Sequence, residues 1–152
     1  MKKGKTFADL AVGMTVSIQN TVSEQDVIDF ARVSGDHNPL HMNEDYAKQT
    51  QFGGRIAHGA LTASYISAVL GNDLPGPGAV FMELNLKFVR PVRIGNTVTS
   101  TAEVLEMIER GHRVRLGVKG TVDGKVVMRG EATVMVPSGK QDSGEQDSGK
   151  PA

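Results

Sequence analysis

Ile56-Ala57-His58-Gly59-Ala60-Leu61-Thr62-Ala63-Ser64-Tyr65-Ile66-Ser67-Ala68-Val69-Leu70-Gly71-Asn72 is the longest stretch of the chain without an acidic residue, a lysine or an arginine. It is short for a bilayer span, which needs about 20 apolar residues. His58, Thr62, Ser64 and Ser67 would also be misplaced in lipid. The stretch reads instead as a core helix from about Ala57 to Leu70, apolar on nearly all sides. Gly71-Asn72 and Pro75-Gly76-Pro77-Gly78 end it.

Downstream of that helix the apolar period changes to two. Met82, Leu84, Leu86 and Phe88 alternate with Glu83, Asn85 and Lys87, which predicts a strand ending or bending at Arg90-Pro91. Val98, Ala102 and Val104 share one face of the next strand. Leu105 and Met107 then switch parity, which predicts a bulge near Val104. Val114, Leu116 and Val118 alternate with Arg113, Arg115 and Lys119. Asp123-Gly124 is a two-residue hairpin turn, followed by a last strand carrying Val126, Met128, Ala132, Val134 and Val136. The methionines at 82, 107, 128 and 135 are expected in the core or on a sheet face.

Upstream, Met14, Val16 and Ile18 predict a half-buried strand. Ser23 is a candidate N-cap with Asp26 at the third helical position. Val27, Phe30, Ala31 and Ser34 follow at helical spacing, and Gly35 can stop the helix. Asn38-Pro39 predicts a loop, and Asn43 can cap a second short helix. With one uncharged helix and a long antiparallel meander, the economical packing wraps the sheet around the helix. The expected class is α+β, with the hot-dog arrangement. About five strands leave open edges, so at least a homodimer is expected.

The chain has 152 residues, enough for one domain, and 17 basic residues balance 17 acidic ones. That balance argues against a general nucleic-acid or membrane-surface binder. The absence of cysteine excludes disulfides, thiol nucleophiles and cysteine-ligated zinc. The basic start Met1-Lys2-Lys3-Gly4-Lys5 is not followed by an apolar run, so no secretory signal is expected and the location reads as cytoplasmic. Residues 138–152 repeat Gln-Asp-Ser-Gly and carry no large apolar residue, so a disordered tail is expected after a folded unit of residues 1–137.

The richest chemical cluster is Ser34-Gly35-Asp36-His37-Asn38-Pro39-Leu40-His41. Asp36 and His41 would stand roughly 16 Å apart in an extended chain. A tight turn can bring both onto one water molecule, where a base and an acid can act within hydrogen-bond reach. The same residues also make a common helix-ending turn. The second cluster, Phe52-Gly53-Gly54-Arg55-Ile56-Ala57-His58-Gly59, precedes the uncharged helix. A helix start presents unpaired N–H groups, and Gly59 can approach a thioester oxygen that gains negative charge. Gly59 can equally serve close helix–sheet packing. His58 reads as a helix-start histidine satisfied by backbone groups, and His37 as a solvent-facing loop residue. Arg113, Arg115 and Lys119 read as a solvated strand face. The histidine spacing lacks a metal-ligand pattern, so no metal and no other cofactor is expected.

Over about Phe7 to Pro137, these two motifs and the Leu61-Thr62-Ala63-Ser64 that follows resemble the R-specific enoyl-CoA hydratases, the hydratase 2 group with a MaoC-like hot-dog domain. The resemblance implies reversible hydration of a (2E)-enoyl-CoA to the (3R)-3-hydroxyacyl-CoA. It places the catalytic pair on Asp36 and His41, the loop-shaping asparagine on Asn38, the carbonyl-binding N–H on Gly59 and a polar contact on Ser67. Leu70 and Val134 are expected as walls of the acyl tunnel. Some relatives have Arg-Pro where this chain has Arg55-Ile56, so Arg55 is given no role. An acyl-carrier-protein dehydratase shares the chemistry. A hot-dog thioesterase is disfavoured because the helix carries no carboxylate, and a non-catalytic acyl-CoA-binding module because the Asp36/His41 pair is intact.

Overall fold

A computed structural model describes residues 1–139 of the chain. Of the expected tail, everything from residue 140 onward lies outside the described residues. After a 3-10 turn at Phe7–Asp9, the elements are β1 (Thr15–Thr21), α1 (Glu24–Ser34), α2 (Pro39–Met42), α3 (Glu44–Lys48), α4 (Gly59–Asn72), β2 (Val80–Phe88), β3 (Thr97–Ile108), β4 (Arg113–Val122) and β5 (Lys125–Met135). The strands form one antiparallel sheet in the order β1-β3-β4-β5-β2.

Local chemistry sets these boundaries. Ser23 and Asp26 form a reciprocal capping box on α1, a device worth about 0.5–2 kcal/mol. Gly35 closes α1 at φ 78°, a left-handed conformation that costs glycine little. Asn43 caps α3 by accepting from the Tyr46 N–H. The Asn38-Pro39 step is not simply a loop. Asn38 accepts from the Leu40 N–H and Pro39 opens the single turn α2, because proline at the first helical position loses no intrahelical bond.

The bulge expected near Val104 is present: the β3–β4 register shifts between Val104 and Glu106. A second shift lies opposite Gly120/Thr121 on β5, where Met128 and Val126 are paired and Val127 is the extra residue. That bulge buries Val127 beside Met128. Asp123 and Gly124 both have positive φ in the two-residue link from β4 to β5, as a type I′ turn requires.

α4 packs on the inner face of the sheet and touches β1, β2, β3 and β4. Its buried positions are Leu61, Thr62, Tyr65, Ile66, Val69 and Leu70. Burial raises the Tyr65 phenol above its ordinary pKa, and the charge of Asp26 adds to the rise. The opposite side of α4 is not enclosed: Ala60, Ser64, Ser67 and Gly71 are exposed. A single five-stranded sheet covers one side of a helix, so the burial on nearly all sides expected from composition is not reached within one protomer. The sheet's other face is polar, with Ser17–Thr101 and Thr21–Thr97 hydroxyl pairs at 2.7 Å. Of the methionines, Met128 is fully buried, whereas Met82 and Met135 are exposed. The N-terminal segment straps the end of the sheet through Phe7 N–H to the Pro137 carbonyl at 2.7 Å.

Candidate active site

The loop between α1 and α2 is built by its own side chains. The Ser34 hydroxyl donates to the Phe30 carbonyl at 2.6 Å and accepts from the Asp36 N–H at 3.1 Å. Asp36 Oδ1 accepts from the Asn38 N–H at 3.1 Å, and Asn38 Oδ1 accepts from the Leu40 N–H at 3.0 Å. Each short polar residue therefore ties down the backbone two positions on. The result is a bend that holds the Asp36 carboxylate at the surface and turns His41 inward, where it is 9% exposed.

A second segment, Arg55 to His58, grips this bend from the other side. Ile56 N–H donates to the Leu40 carbonyl at 3.3 Å. His41 Nδ1 lies 2.8 Å from the Ile56 carbonyl. His58 Nε2 lies 3.0 Å from the Asp36 carbonyl. Arg55 Nε donates to the His41 carbonyl at 2.5 Å, and its Nη1 binds both carboxylate oxygens of Glu24 at 2.9 Å. Arg55 thus ties this turn to the start of α1, a structural job that the sequence did not reveal.

A carbonyl oxygen only accepts, so His41 Nδ1 carries a proton and Nε2 is the nitrogen left for chemistry. A carboxylate oxygen of Asp36, a ring nitrogen of His41 and a ring nitrogen of His58 all lie within 4.8 Å of one another. Three points so spaced can share one water at about 2.8 Å from each, an ordinary hydrogen-bond length. The same three donors are the group, among the described residues, close enough to share a cation. Spacing in the sequence hid this cluster, because His58 joins it from 22 positions away.

His41 opens onto a cavity of about 370 Å³ lined also by Phe52, Ile56, Ala57, Gly59, Thr62, Phe88, Val92 and Val127. Gly59 is the first residue of α4, and the Leu61 and Thr62 N–H groups both end on the His58 carbonyl. The Gly59 N–H therefore precedes the first intrahelical bond and is one of the helix's open donors. A Cβ on Gly59 would stand 3.3 Å from the Phe88 ring, so close packing and an accessible N–H coincide at this position. Ser67 lies exposed on the open side of α4. Leu70 and Val134 are 2% and 0% exposed within the core and do not line this cavity. The structure thus brings Asp36, Asn38, His41 and Gly59 together, adds His58, and leaves Ser67, Leu70 and Val134 farther along α4 and β5. His37 is exposed, as expected.

The MaoC like domain model matches residues 9–126. The chain is 52% identical over 132 residues to an (R)-specific enoyl-CoA hydratase of Rhodospirillum rubrum, covering 87% of this chain and 92% of that protein. It is 50% identical over 131 residues to a 3-hydroxybutyryl-CoA dehydratase of Methylorubrum extorquens, covering 86% and 83%. The solved unliganded R-hydratase of Pseudomonas aeruginosa superposes with a TM-score of 0.83 at 41% identity, covering 88% of this chain and 86% of that one.

Proposed function

The chain belongs to the family of MaoC-like domain proteins, and on that premise we propose that it reversibly hydrates (2E)-enoyl-CoA to (3R)-3-hydroxyacyl-CoA, with Asp36 and His41 as the acid–base pair. The observation that carries this reading is the convergence of a carboxylate oxygen and an imidazole nitrogen within 4.8 Å, beside a cavity that also exposes Gly59 at the start of α4. The thioester carbonyl accepts from the Gly59 N–H. Water adds through its oxygen to Cβ, and its proton passes to Asp36. The π electrons move to Cα, with charge developing on the thioester oxygen, where the open helix donor stabilises it. The pair enters the step with its one mobile proton on His41 Nε2, as an imidazolium beside the Asp36 carboxylate. Cα takes that proton, and His41 is left neutral with Nδ1–H still bonded to the Ile56 carbonyl. A return of the proton from Asp36 to His41 resets the pair, and the reverse sequence is dehydration.

The deciding experiment follows the loss of enoyl-thioester absorbance with crotonyl-CoA and longer enoyl-CoAs, with chiral analysis of the product. Turnover to the (3R) product is expected. Formation of free CoA without hydration would instead mark a thioesterase, and turnover confined to acyl-carrier-protein thioesters would move the substrate to a protein-bound acyl group.

The acyl chain is assigned to a path from Gly59 along α4, past Ser67, towards Leu70 and Val134. Leu70→Ala is expected to raise activity on longer enoyl-CoAs relative to crotonyl-CoA by up to about tenfold. It should also lower stability by about 2–5 kcal/mol, because Leu70 is core. Melting temperature and chain-length ratio, measured together, separate the two effects. An unchanged ratio in a folded variant would place the tunnel elsewhere.

A homodimer completes this reading. The β2 edge exposes Val80, Phe81 and Met82 at 50%, 40% and 53%, and the open side of α4 carries only small side chains. Phe81→Asp should shift the mass in light scattering from that of two chains to that of one. A wild-type protein that is monomeric and fully active would overturn the dimer. No helix among the described residues is long and apolar enough to cross a membrane. A cytoplasmic location belongs to the same proposal.

A further inference from the structure

His58 has the features of a working residue rather than of a helix cap. It occupies the N-cap of α4, yet its side chain makes no capping bond. It is 1% exposed, and its Nδ1 has no hydrogen-bond partner. A buried acceptor without a partner carries a desolvation cost, so such a side chain is retained for something its other contacts do. Apart from Phe30, those contacts lead to the acid–base pair. Nε2 donates to the main-chain carbonyl of Asp36 at 3.0 Å. The ring lies against His41, with centroids 4.1 Å apart and planes 33° apart. Its other neighbour is Phe30 of α1, at 4.9 Å. One of its nitrogens also belongs to the 4.8 Å cluster with Asp36 and His41.

Resting on the hydratase reading above, we infer that His58 is a positioning residue for the hydration: it fixes the Asp36 carboxylate through the Asp36 carbonyl and backs the His41 ring, so that both point at one water. Asp36 needs such a fastening. The far end of the bend, Leu40 and His41, is fastened to Arg55 and Ile56. At Asp36 itself the other ties are local bonds with residues 34 and 38, which shape the turn without fixing the exposed carboxylate against the body of the protein. His58 supplies the long-range tie from the start of the most buried helix. A displacement of about 1 Å between reacting groups can cost about a hundredfold in rate, so a single anchoring bond can be felt in kcat.

Substitutions at His58 can separate this role from a merely structural one. Asn is favoured at helix N-caps, so His58→Asn keeps the helix start, but its amide is too short to reach the Asp36 carbonyl. Gln places an N–H close to where Nε2 stands. In His58→Asn, kcat for crotonyl-CoA hydration should fall by about a hundredfold with KM changed by less than about threefold. His58→Gln should recover at least about tenfold of that loss. Combined with Asp36→Asn, His58→Asn should add almost nothing, because a residue acting through Asp36 has nothing left to position. A kcat within about threefold of wild type in folded His58→Asn, no recovery in His58→Gln, or a full multiplicative loss in the double variant would each overturn the assignment. If His58→Asn does not fold, His58→Leu, which fills the buried space without offering a donor, takes its place in the same comparisons with His58→Gln and with Asp36→Asn. Wild-type protein without hydratase activity overturns the underlying reading. Wild-type activity that responds to Asp36→Asn but not to His58 substitution overturns only the role of His58.

Discussion

Asp36→Asn should lower kcat for enoyl-CoA hydration by about 10²–10⁴-fold, the range typical for removal of one general acid–base group. The substitution is close to isosteric. The asparagine Oδ1 can still accept from the Asn38 N–H, the bond that shapes the turn, and the anchor to His58 runs through the main chain. Asp36 is also exposed, so stability should change by no more than about 0.5 kcal/mol. Activity and melting temperature should therefore separate cleanly. Near-normal turnover in the folded variant would remove Asp36 from the chemistry and reduce the motif to a turn.

His41→Ala and His41→Asn should lose activity equally and stability unequally. Both remove Nε2, so both should fall by about 10²–10⁴-fold in kcat. They differ at the Ile56 carbonyl, which His41 Nδ1 meets at 2.8 Å. Alanine leaves that acceptor without its donor and opens space where a 9% exposed ring stood. The expected cost is about 1–3 kcal/mol. The amide nitrogen of asparagine falls close to the position of Nδ1 and can restore the bond, so His41→Asn should melt nearer to wild type. If His41→Asn regained activity as well as stability, Nε2 would not be the proton carrier. On the proposal that Asp36 and His41 act on one water, the Asp36→Asn/His41→Asn protein should be scarcely slower than either single variant.

The parts of this structure that were legible in the sequence are those where the physics is local. The capping box at Ser23/Asp26, the stop at Gly35, the cap at Asn43 and the Asp123-Gly124 turn each depend on a few adjacent residues. The bulge after Val104 showed itself because Leu105 and Met107 break the alternation of a strand with one wet face. The bulge at Val127 left no such mark, since Val126, Val127 and Met128 are all apolar and parity cannot be counted through them. The site divides the same way. Asp36, Asn38 and His41 stand within six positions of one another and could be read as a unit. His58 and Arg55 could not: His58 and the Arg55 Nε meet main-chain carbonyls, which look the same at every position of a sequence, and the side-chain partner of Arg55, Glu24, lies 31 positions away. The open side of α4 was also hidden, because composition shows that a helix is apolar but not how many faces a single sheet can cover.

The two rims of the sheet differ in character, which has a consequence for the proposed homodimer. β2 offers Val80, Phe81 and Met82, whereas the β1 rim is edged by Ser17, Gln19 and Thr21 alongside the threonines of β3. A rim that prefers its own kind makes a self-terminating contact, since two such rims consume each other and leave only the hydroxylated ones outside. Joining unlike rims would instead repeat without end and build a fibre. In the proposed homodimer, carrying greasy side chains on one rim alone would therefore act as a counting device that stops strand-to-strand growth at two. A change that made β1 as apolar as β2 would be expected to show itself as insolubility well before any loss of catalysis.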